Sequence, residues 1–134
     1  MLGPIAALML LTSVGEPIRV DVGRADWSAL PPLKATRRPL PTRDMVDRVQ
    51  RMIETESCKL PGQKAKRFDI TIPYAVLVSP DGKASRAVVA ETGCAELETF
   101  VGIIVAAMAR EGDFRPTRET KARWFASELN FSLQ

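Results

Sequence analysis

Residues Tyr74 to Glu98 read YAVLVSPDGKASRAVVAETGCAELE, and the fold is decided there. Tyr74, Val76 and Val78 alternate with Ala75, Leu77 and Ser79, the period-two pattern of a strand with one buried face. Pro80-Asp81-Gly82 follows as a hairpin connection: proline presets φ and glycine accepts positive φ. Lys83 to Glu91 is the returning strand, with its apolar content in Ala87-Val88-Val89-Ala90. Thr92-Gly93-Cys94 then opens a helix. Glu96 and Glu98 sit in its first turn and Arg110 in its last, as the helix dipole favours.

Working outward, the alternation extends upstream through Phe68, Ile70 and Ile72. Pro73 interrupts it with a residue that has no N–H, so the strand is expected to be bulged or unpaired there. Before the strand, Met45, Val46, Val49, Met52 and Ile53 mark one stripe of a helix capped by Thr42. Downstream, Leu97, Val101, Ile104 and Met108 form the expected stripe of the second helix. Phe100 to Ala109 is nevertheless apolar at every position, more than one buried face requires. Lys121 to Leu133 is a last strand, with Phe125, Leu129, Phe131 and Leu133 on one side and Trp124, Ala126, Glu128 and Asn130 on the other. The order is α-β-β-α-β. It predicts a small α+β domain with its helices on one face of the sheet.

A chain of 134 residues allows one such domain, over residues 42–134, and a short leader. Residues 1–15 read as a signal peptide with an apolar run from Ile5 to Leu11 and cleavage after Gly15. A buried N-terminal helix and an uncleaved anchor are the competing readings. Residues 16–41 form a Pro-rich arm. Ile18 to Val22 alternates, enough for a short edge strand, and Trp27 and Leu30 are expected to dock the arm on the domain. A ligand groove around Trp27 is the alternative there. Once the leader is removed, no stretch is long and apolar enough to span a bilayer stably.

Chemistry is narrowed by what is missing. The sequence contains no histidine, which removes the commonest general base, the usual triads and most transition-metal sites. No catalytic, cofactor-binding or metal constellation can be assembled, and an enzyme is not expected. The net charge of +3 is interspersed, as in Asp44-Met45-Val46-Asp47-Arg48, so nucleic acid is not an expected partner. Asp81 has no second acid near it and is read as turn chemistry. Cys58 and Cys94 follow the first helix and precede the second; in an exported protein they are expected to form a disulfide, against the alternative of two buried thiols.

The set Asp81-Gly82, Val88-Val89-Ala90-Glu91-Thr92-Gly93, Leu97-Glu98, Phe114-Arg115-Pro116 and Asn130-Phe131-Ser132-Leu133 resembles, in order and spacing, the C-terminal domain of TonB and TolA-type proteins. That resemblance implies a small three-stranded antiparallel sheet carrying two helices on one face, and a periplasmic location. It also implies that the edge of the final strand pairs with an extended segment of a periplasmic or outer-membrane protein. The contact then falls on Arg123, Trp124, Phe125, Ser127 and Asn130, with Trp124 as the side-chain anchor. The chain departs from TonB itself in having no histidine, a leader read as too short to anchor it and an arm of about 25 residues that reaches at most about 80 Å. A stand-alone adaptor without motor coupling is the expected function. The alternative is a self-associating homodimer that uses Phe100 to Ala109 together with Trp124.

Overall fold

A computed structural model describes residues 17–34 and 40–134. The signal peptide, its cleavage after Gly15 and the first residue of the arm lie outside the described residues. The elements are β1 (Arg19–Gly23), α1 (Arg43–Glu54), β2 (Phe68–Val78), β3 (Ala84–Ala90), α2 (Ala95–Arg110) and β4 (Arg123–Leu133). The sheet has four strands in the order β1-β3-β2-β4. β2 is antiparallel to both neighbours, and β1 runs parallel to β3. This corrects the expected three-stranded antiparallel sheet: the sheet is mixed, and the fold remains α+β. The missing strand is the alternating run in the arm, with Val20 opposite Ala87 and Val22 opposite Val89.

Helix composition explains why β1 docks. α2 buries Leu97, Phe100, Val101, Ile104, Val105 and Met108, and also Gly102. A Cβ on Gly102 would stand 3.1 Å from Val20 Cγ1, so the glycine lets the helix settle onto β1. β1 therefore covers part of the apolar surplus of Phe100 to Ala109, at Gly102. Ile103, 57% exposed, is left outside it.

Both helices pack on one face of the sheet. Phe68, Ile70, Ile72, Tyr74, Val76 and Val78 point into that core with Leu129 and Phe131. α1 adds Val49 and Met52, and the Phe100 and Phe131 rings meet at 6.2 Å. The Arg48 guanidinium lies 5.0 Å from the centre of the Phe100 ring and bridges the two helices. Thr42 caps α1 through its Oγ1, which accepts the Met45 N–H at 3.4 Å.

The second helix is fixed at its N-terminus by the disulfide. Cys58 and Cys94 are bonded, with Cα atoms 5.3 Å apart and a sequence separation of 36. Cys94 is also the N-cap, its sulfur accepting the Leu97 N–H. Glu98 Oε2 accepts from the main chain of Thr92 and Gly93 at 2.6 and 3.1 Å, where the positive end of the helix favours an anion.

The hairpin between β2 and β3 is a type I turn with a bulge. Gly82 N–H donates to Ser79 O and Ser79 N–H to Lys83 O, both at 2.9 Å, and Gly82 has φ +89°. Its tip rests on Phe114-Arg115-Pro116, with Thr117 N–H donating to Pro80 O at 3.1 Å. Pro73 causes no break, because β2 and β3 part just before it: Tyr74 opposite Val89 is their last pair. Its missing N–H faces the side that β3 has left.

Candidate functional site

β4 is the outermost full strand on its side of the sheet, and its register with β2 is continuous from Phe68–Leu133 to Val78–Arg123. Ala126 turns its main-chain groups away from β2. Its N–H donates to Pro31 O at 3.0 Å, and its C=O accepts from Leu33 N–H at 2.8 Å. Antiparallel alternation then fixes the rest of the strand: Trp124, Glu128, Asn130 and Ser132 also aim N–H and C=O outward, while Phe125, Ser127, Leu129 and Phe131 bond to β2. Among the described residues, no main-chain hydrogen bond outside the sheet ladders reaches Glu128 or Asn130.

The expected contact residues fall on this strand but not on one surface. Phe125 and Ser127 point to the helix side. Ser127 faces Tyr74, whose phenol is pushed above its ordinary value of 10.0 by burial, against a smaller opposing effect of the Ser127 hydroxyl. Arg123 is exposed and paired with Glu119. Trp124 and Asn130 share the open face, the one without helices. Asn130 Nδ2 donates to Asp69 Oδ1 at 2.6 Å and Thr71 Oγ1 at 2.8 Å, so its side chain is tied to β2 while its main chain faces the edge. Trp124 is half-buried and carries a cation already: Arg86 lies 5.8 Å from its ring centre and 3.8 Å from Asp21 on β1. A dimer face combining Phe100 to Ala109 with Trp124 does not exist in this fold, because α2 and Trp124 lie on opposite faces of the sheet.

Sequence reasoning missed Ala126, and no side-chain signal points to it, because its role is carried by its main chain. It also missed where the arm goes. From the end of β1 the arm crosses the open face, where Trp27 and Leu30 wall a cleft of about 470 Å³ with Pro73, Ala90, Ala126 and Glu128. It then rounds the β4 edge at Pro31 to Leu33. On the helix side it meets the loop after α2, where Arg115 N–H donates to Lys34 O at 3.2 Å. A second cleft, of about 510 Å³, lies there between the arm, Phe125 and Arg115 to Glu119.

Among the described residues, no group of three or more Cys, Asp or Glu is placed to hold a metal ion. Nor is any helix of these residues long and apolar enough to cross a membrane. The chain matches no family model, no curated protein and no solved structure. The geometry therefore stands alone: an edge strand with outward main-chain groups, open among the described residues at Glu128 and Asn130 and holding an extended segment at Ala126.

Proposed function

We propose that this chain is an exported, periplasmic adaptor that binds an extended segment of a partner protein along β4. The observation that carries the reading is the bridge at Ala126. A Pro-rich extended segment already sits on this edge and uses the N–H and C=O that a bound peptide would use. The open groups of Glu128 and Asn130 continue the same row. The Cys58–Cys94 bond fits an oxidising compartment. The resemblance to TonB and TolA-type C-terminal domains adds the class of partner, an outer-membrane transporter segment. Contact between Gly82 and Phe114-Arg115-Pro116 supports it, by packing together two motifs that carry the resemblance.

Main-chain pairing sets the affinity in this mode and side chains tune specificity. The test is titration of the mature protein, carrying Trp27→Phe, with extended peptides from outer-membrane transporters, read by Trp124 fluorescence. Saturable quenching or enhancement in a folded monomer is expected. No response removes the adaptor reading for those partners, and a concentration-dependent change without peptide points to pairing of two copies through the same edge.

A further inference from the structure

The arm on the β4 edge is short and incomplete as a strand. Among the described residues it pairs with β4 at a single bridge, Pro32 beside Ala126, running parallel to it. Two of its residues there, Pro31 and Pro32, have no N–H to give. Leu33 supplies the one donor on the bridge, and its side chain packs at the margin of the core. At Lys34 the arm has left the edge for Arg115, so among the described residues the outward groups of Glu128 and Asn130 stay open. A segment that stayed extended would form more ladder bonds on this edge than the arm does.

We propose that Pro31 to Lys34 is a resident, displaceable occupant of the peptide edge, and that an incoming extended segment binds parallel to β4 by replacing it. The inference rests on the adaptor reading and adds to it a direction of binding and a built-in competitor. The parallel direction is the arm's own, and it places the next residues of the guest beside Glu128 and Asn130. Docking of the arm lowers apparent affinity by the fraction of molecules whose edge is free. Weak guests are thereby excluded. The arm also covers part of an edge that would otherwise template pairing between copies.

The test uses the whole mature protein and Leu33→Pro, which deletes the N–H donated to Ala126 without touching β4. The probe is the synthetic hexapeptide ALPPLK, the sequence of residues 29–34, followed by fluorescence anisotropy and by amide exchange at Ala126. In the parent the Ala126 amide exchanges more slowly than that of Glu128; in Leu33→Pro it exchanges as fast. The peptide restores its protection in the variant, with a Kd about tenfold below that for the parent, as expected when about nine molecules in ten hold the arm docked. Equal exchange of Ala126 and Glu128 in the parent, or equal peptide affinity for both proteins, overturns the proposal. If Leu33→Pro does not fold, Leu33→Gly keeps the N–H but loses the side-chain docking, and the same shifts are expected at smaller amplitude. A transporter peptide separates the two readings. Binding to both proteins with equal affinity overturns the displaceable arm and spares the adaptor. Binding to neither, while ALPPLK competes as described, removes the adaptor and upholds the arm as occupant.

Discussion

Replacing Gly82 with alanine probes the contact on which the whole β2–β3 hairpin leans. The residue has φ +89°, and a Cβ built there would stand 3.0 Å from Phe114 O, 3.0 Å from Pro116 N and 3.2 Å from the Arg115 carbonyl carbon. Two costs follow. Holding a non-glycine residue in the left-handed region costs about 1–2 kcal/mol. Forcing a methyl against main chain that cannot rotate away costs about 1–3 kcal/mol more. The sum, roughly 3 kcal/mol, is a large share of the stability of a small domain. Gly62 supplies the internal control, since its φ is +79° but nothing lies within 4 Å of its Cβ position. Gly62→Ala should therefore show the backbone cost alone, about 1 kcal/mol. In urea, with a slope near 1.5 kcal/mol/M, the midpoints of the two variants should differ by about 1.3 M. Equal midpoints would refute the docking of the turn on Phe114-Arg115-Pro116.

Removing the disulfide by Cys58→Ser with Cys94→Ser should cost roughly 3–4 kcal/mol, from the loop entropy restored to the unfolded chain. A urea midpoint that also stays unchanged when the parent is reduced would contradict the bond. Ser127→Pro and Glu128→Pro should part company. The first deletes an N–H bonded to β2 and should unfold the sheet; the second deletes an outward N–H and should leave the fold intact while weakening peptide binding. Fluorescence-detected unfolding and peptide titration of both variants check this, and similar stability losses would undo the assigned parity. Asp81 is held below its ordinary 3.8, first by the Ser79 hydroxyl and then by the Lys83 N–H. A depressed carboxylate adds stability that is present above the unfolded value and lost as pH falls through the folded one. Asp81→Asn should therefore flatten the decline of the hairpin's stability below about pH 4, measured as urea midpoint against pH; an unaltered decline would rule the turn carboxylate out.

Legibility in the sequence followed the range of the physics. The two long strands, their turn and both helices are local patterns, and β2 from Phe68 to Val78 lies within one residue of the period-two run that announces it. The expectation of export, joined to the placement of the two helices, is enough to pair Cys58 with Cys94. β1 was visible as an alternating run, but its parallel pairing with β3 is a tertiary choice made by Val20 and Gly102 across about 80 residues of chain. The uniform apolarity of Phe100 to Ala109 was the trace it left. On β4 the side-chain pattern located the strand but not its hydrogen-bonding parity, which the register with β2 sets. Trp124 and Asn130 drew attention through their side chains, whereas the groups that face a partner are main-chain ones at Ala126, Glu128 and Asn130. The arm hid for a similar reason. Two prolines announce an extended path and say nothing of what it lies against.

Amide exchange along β4, followed residue by residue with a saturating transporter peptide, tests the adaptor reading most directly. The account predicts new protection at the outward amides of Glu128 and Asn130. The inward amides of Ser127 and Leu129, already bonded to β2, should not change. Binding that leaves Glu128 and Asn130 unprotected, with its footprint on another surface, would contradict it.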